Sequence, residues 1–113
     1  MRHYLLGAGS AVYAGTVQGL TGIDGGLIQG GGGVASCFSG GVIDISDYTN
    51  TNKYKTVRSA SGNNTNINSP LNYFESESGL WQSTSAITSV TVSVNSGNLA
   101  EYSSFALYGI QGA

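Results

Sequence analysis

Hydrophobic and polar positions alternate along much of this chain with a period of two, and nowhere with the 3.6-residue period of a helix. Residues 86–94 (Ala-Ile-Thr-Ser-Val-Thr-Val-Ser-Val) carry the strongest signal. Val90, Val92 and Val94 fall on one face, Thr91 and Ser93 on the other, and β-branched side chains dominate, as strands prefer. A turn at 95–98 leads to a second predicted strand at 103–110, apolar on both parities. Such a strand is expected to be covered on both sides, by a second sheet and by a loop or a neighbouring subunit. Upstream, 41–45 sets Ile43 and Ile45 against Asp44, the pattern of a half-buried strand. After a polar turn at 47–52, residues 53–60 place Lys53, Lys55, Val57 and Ser59 on one parity. Tyr54, Thr56, Arg58 and Ala60 lie on the other, which predicts a strand with one wet face. Asn, Ser, Gly and Pro make 61–72 a loop, and 73–81 is expected to hold a short strand followed by a turn.

The first 41 residues hold 13 of the 18 glycines, and an interior glycine costs a helix about 1 kcal/mol relative to alanine. Short strands are expected here at 4–6, 10–13, 26–28 and 34–38, with the run Gly30 to Gly33 as a flexible tip or a place of close backbone approach. The total is six to eight short strands, long polar loops and no internal repeat. The predicted fold is therefore all-β, an antiparallel β-sandwich or jelly roll, in a single domain over 1–113. Residues 1–41 form its glycine-rich part and 42–113 its more regular part.

Composition narrows the function classes. Only 9% of the 113 residues are charged, against about 25% in an average domain. Four Lys/Arg against six Asp/Glu, a net charge of -2, do not suit nucleic-acid binding. A hydrophobic content of 40% does not suit a charged disordered tail. No run approaches the roughly 18 apolar residues of a membrane span, and glycines interrupt any secretory signal after Leu6, so no membrane insertion is expected. A lone Cys37 cannot build an intrachain disulfide and reads as a small buried apolar residue.

Candidate chemistry is sparse. Gly7-Ala-Gly9 begins like a dinucleotide fingerprint, but Val12 stands at the third glycine position and no helix pattern follows. Gly25 to Gly30 has phosphate-loop spacing without the Lys-Ser/Thr that would hold phosphate. One His and one Cys do not fill a zinc site, and His3 has no nucleophile motif to serve. The carboxylate pairs Asp44/Asp47 and Glu75/Glu77 admit a glycosidase or, for the first pair with nearby Asn, a calcium site. On a strand, Glu75 and Glu77 share a face, which is equally the look of a solvated edge that resists aggregation. Trp81 and Tyr73 are candidate sugar-stacking residues, with a buried structural anchor as the alternative for Trp81. Asn63-Asn-Thr65 matches a glycosylation sequon and is read as loop. No cofactor is implied, and no enzymatic activity is expected.

Two segments together suggest a family. They are 43–56 (Ile-Asp-Ile-Ser-Asp-Tyr-Thr-Asn-Thr-Asn-Lys-Tyr-Lys-Thr) and 81–94 (Trp-Gln-Ser-Thr-Ser-Ala-Ile-Thr-Ser-Val-Thr-Val-Ser-Val), the second followed by Ser104-Phe-Ala-Leu-Tyr-Gly-Ile110. The chain resembles tailed-bacteriophage virion structural proteins, small β-sandwiches that end in a Leu-Tyr-Gly-Ile motif. The resemblance covers about 43–110. It implies a non-enzymatic structural component, a capsid decoration, head fibre or tail part, assembled in the host cytoplasm and localised to the virion. The His3-Tyr-Leu-Leu-Gly-Ala-Gly-Ser10 stretch follows earlier strands in that family, so the chain is expected to be a shortened sandwich completed by oligomerisation. Open edges and apolar surface then predict a homo-oligomer, a trimer by preference, in contact with other virion proteins. Val90, Val92, Val94, Phe105, Leu107, Tyr108 and Ile110 would lie in its core or interface. A second expectation is a carbohydrate-binding host-adhesion module on the same particle, contacting host-surface glycan through Trp81 and Tyr73.

Overall fold

The computed structural model describes residues 2–8, 11–17, 19, 21–26, 28, 35–64 and 72–110, with backbone only for 2–8 and 11–17. The described residues form an all-β protein without helix. Five strands, β1 (Arg2–Ala8), β2 (Ala11–Val17), β3 (Ser39–Ile45), β4 (Lys55–Asn63) and β5 (Tyr73–Trp81), make one sheet in the order β2-β1-β5-β4-β3. Every pairing is antiparallel.

The chain builds this sheet from two local units. Ala8 pairs with Ala11, so β1 and β2 are joined by only Gly9 and Ser10, the length that tight hairpins use. Strands β3, β4 and β5 form a meander. The β1–β5 ladder, from Arg2 opposite Gly79 to Ala8 opposite Tyr73, joins the two units. The β3–β4 turn is held by local chemistry. Ser46 N–H donates to the Thr56 carbonyl at 2.9 Å, and Asn50 N–H to the Asp47 carbonyl at 2.9 Å. Asp47 adopts a φ of 54°, which Asp and Asn tolerate better than most residues. Lys53 Nζ lies 2.6 Å from Asp47 Oδ2. At the far end, Tyr73 N–H donates to Asn63 Oδ1 at 2.8 Å as the chain enters β5, so the sequon asparagine has a structural bond.

The alternation expected over 53–60 is seen from Lys55 onward, whereas Lys53 and Tyr54 lie exposed before the strand. Lys55, Val57, Ser59 and Ser61 are buried while Thr56, Arg58 and Ala60 are exposed, and the strand extends beyond the expected 60 to Asn63. Several expectations change. Residues 35–36 form a turn, with Ser36 at a φ of 65°, so the strand expected at 34–38 is absent over 35–38 and β3 begins at Ser39. Gly26 and Ile28 are not in a strand. Gly30 to Gly33, Val34 and the central part of the 61–72 loop lie outside the described residues. Cys37 is half-buried rather than buried.

The largest difference lies after Trp81. Neither 86–94 nor 103–110 is a strand, although both carry strand patterns. A strand needs a partner ladder, and in this single chain neither segment has one. The side chains follow: Val90 is 50% exposed, Leu107 84% and Ile110 86%, with Val92, Phe105 and Tyr108 also exposed and Val94 half-buried. Within one copy these residues do not enter a core. The only buried hydrophobic among the described residues is Val57.

Candidate functional site

Over β4 and β5, one face of the sheet is largely polar and buried. The β4–β5 register places Val57 opposite Gly79, Ser59 opposite Glu77 and Ser61 opposite Glu75, so these side chains share a face. All six residues are buried, Glu75 to 8% and Glu77 to 4% exposure. The segment 23–26 crosses this face. A Cβ on Gly79 would stand 2.7 Å from Ile23 Cγ2, and one on Gly25 2.8 Å from Ile43 Cδ1. Gly26, at a φ of 108°, lies directly against the Ser61 side chain. Glycine at 79 and 26 is what lets the crossing segment sit this low. Gly26 N–H is further held by Asp24 Oδ1 at 3.1 Å.

This arrangement corrects one expectation. Glu75 and Glu77 do share a face, with Cα atoms about 7 Å apart at the usual strand rise. They are not a solvated edge, because β5 lies between β1 and β4 in the sheet interior. Their low exposure also denies an extended glycan direct access to either carboxylate. Asp44 and Asp47 do not converge on a cation site: Asp44 Oδ2 pairs with Arg58 Nη2 at 3.0 Å, and Asp47 takes Lys53. Among the described residues no group of three His, Cys, Asp or Glu side chains gathers as metal ligands would.

Lys55 opens β4 and is fully buried. Its Nζ donates to the carbonyls of Thr84 at 2.8 Å, Lys53 at 3.2 Å and Ser83 at 3.3 Å, using the three donors of an ammonium. It therefore staples the segment leaving β5 to the start of β4. Ile87 N–H then donates to the Tyr48 carbonyl at 2.8 Å, which carries the chain across to the β3–β4 turn. This staple was missed in the sequence, although a signal existed: a lysine on the same parity as Val57 and Ser59.

Tyr73 and Trp81 occupy opposite ends of β5, about 26 Å apart at roughly 3.3 Å per residue, so they form no common sugar platform. Trp81, 43% exposed, lies instead opposite Lys55, close in sequence to the half-exposed Tyr54. A shallow depression of about 450 Å³ opens elsewhere, lined by Ser36, Cys37, Phe38, Gly62, Asn63 and Asn64.

Several large apolar side chains stand exposed on the opposite face and beyond β5. On the outer sheet face Val42 is 71% exposed and Phe74 55%, joined by Leu80, with Phe38 exposed just before β3. Beyond Ile87, Val90, Val92, Phe105, Leu107, Tyr108 and Ile110 are also exposed.

No protein-family model, curated protein or solved structure matches this chain.

Proposed function

We propose that this protein is a non-enzymatic structural subunit of a bacteriophage virion, acting through contacts with copies of itself and with other virion proteins. The observation that carries the assembly part of this reading is the exposed area. The chain exposes 8559 Å². A compact monomer of its 11.6 kDa mass exposes about 5,800 Å² by the usual scaling, an excess on the order of 2,700 Å². Its radius of gyration, 15.5 Å, likewise exceeds the roughly 13 Å of a compact domain this long. Obligate interfaces bury areas of this order and are apolar, as the exposed Val, Leu, Phe and Ile positions are here. The virion assignment rests on the resemblance of 43–110 and its terminal Leu107-Tyr-Gly-Ile110.

In this reading the β-sandwich is completed between copies. The observed sheet is one layer, and apolar segments of sister subunits extend and cover it. Light scattering on the purified chain tests the assembly, with a trimer expected and a stable soluble monomer contradicting it. Electron microscopy of purified particles labelled for this chain tests the location on capsid, head fibre or tail.

A second reading, a host-glycan adhesion module, draws on Trp81, Tyr54 and Tyr48, each between 43% and 48% exposed toward one end of the sheet. A glycan array read with the parent and with Trp81→Ala separates the two. Sugar binding that is lost with the tryptophan supports adhesion, and a blank array removes it.

A further inference from the structure

We propose that residues 88–94 of one copy add as a strand to the open edge of β3 in a second copy. The inference rests on the oligomeric reading above and names the contact that makes the oligomer.

Three observations converge on this pairing. The first is the state of the donor. Residues 88–94 have the strongest strand pattern in the chain and yet belong to no strand. From Ala86 to Ala100 there is no charged residue and no proline. An exposed, uncharged, β-branched segment of this kind is a pairing and aggregation hazard unless something covers it. The second is the acceptor. β3 ends the sheet, paired only with β4. Its edge carries none of the usual protection: no proline, no lysine, and a single charge, Asp44, already engaged with Arg58. Val42 projects from its outer face at 71% exposure, ready to pack beside Val90 and Val92, while Ile43 lies on the opposite face against Gly25.

The third is delivery. Lys55 holds the carbonyls of Ser83 and Thr84, and Ile87 binds the Tyr48 carbonyl, so the arm starts at the β3–β4 turn, next to β3. It departs there without pairing to its own β3. A second copy offers the same edge, and such an exchange would bury part of the area excess. Because arm and edge are different surfaces, the exchange closes either reciprocally between two copies or around a ring such as the trimer.

The test uses full-length protein throughout. In one variant the arm is blocked (Thr91→Pro); in another the edge is blocked (Ile43→Pro), because Ser46 N–H bonds the Thr56 carbonyl and the antiparallel alternation then turns the N–H of Ile43, not that of Val42, to the open side. Each alone should lose the oligomer seen for the parent at the same concentration. Mixed, they should form a 1:1 complex, since the edge-blocked copy still has a good arm and the arm-blocked copy a good edge. An arm-blocked variant that stays oligomeric, or a mixture that yields no 1:1 complex, overturns the exchange while leaving an oligomeric structural role standing. A monomeric parent overturns both. Hydrogen exchange on the unmodified chain guards against misfolded variants. Amides of 88–94 should be protected in the oligomer and lose that protection on dilution to monomer. Free exchange in the oligomer, or protection independent of concentration, would refute pairing between copies.

Discussion

Removing the ammonium of Lys55 should loosen the whole segment that follows β5. Of its three bonds, only that to Thr84, at 2.8 Å, has the length of a strong charge-assisted hydrogen bond. Such a bond contributes about 1.5–3 kcal/mol net, and the two longer ones, at 3.2 and 3.3 Å, fall at the weak end, about 0.5 kcal/mol each. Burying the charge costs part of this back. Lys55→Met keeps most of the stem against Val57's face and removes only the donors. The carbonyls left behind belong to exposed or half-exposed residues and can take water. The expected loss is therefore about 1–3 kcal/mol. Lys55→Ala also deletes a buried stem and should cost about 3–5 kcal/mol. Urea unfolding followed through Trp81, at one fixed protomer concentration, measures both. Proteolysis provides a local readout, because cleavage within 82–87 should accelerate in the Met variant. A Met variant within about 0.5 kcal/mol of the parent, with cleavage there unchanged, would refute the staple.

The glycines make contrasting predictions. Gly26→Ala combines a φ of 108° with a clash on Ser61 and should cost about 2–4 kcal/mol, whereas Gly40→Ala meets nothing within 4 Å and should be neutral or stabilise by about 0.5 kcal/mol. Equal effects in urea unfolding would contradict the crossing of 23–26 over the sheet. Gly79→Ala forces Ile23 to move, so its melting temperature should fall by several degrees, and pairing it with Ile23→Ala should recover part of the loss. Asp44 and Arg58 are 54% and 68% exposed, so a double-mutant cycle should give a coupling below about 1 kcal/mol; a larger value would mean the pair is shielded by a partner.

The β4 alternation was legible because a period of two maps directly onto two faces whatever the partner strands are. Val57 and Ser59 were placed together, and Ile43, Asp44 and Ile45 were placed in a strand, from that arithmetic alone. Glu75 and Glu77 show its limit. Parity put them on one face, but whether that face meets water depends on β5 lying between β1 and β4 and on 23–26 passing over it. Both are long-range facts with no local signal. Lys55 reads as a wet residue by type, and only the carbonyls of Ser83 and Thr84, nearly thirty residues away, make its burial tolerable.

The segments 86–94 and 103–110 mark the boundary most clearly. Their strand propensity is a property of the side chains and is written in the sequence. Strand formation is a property of a ladder, which needs backbone donors and acceptors from elsewhere. The sequence by itself determined an all-β chain, its face assignments and its poverty of reactive groups. The tertiary structure decided the strand order, the sealed polar face and the stapled arm, because each depends on which distant backbones come within hydrogen-bonding distance of one another.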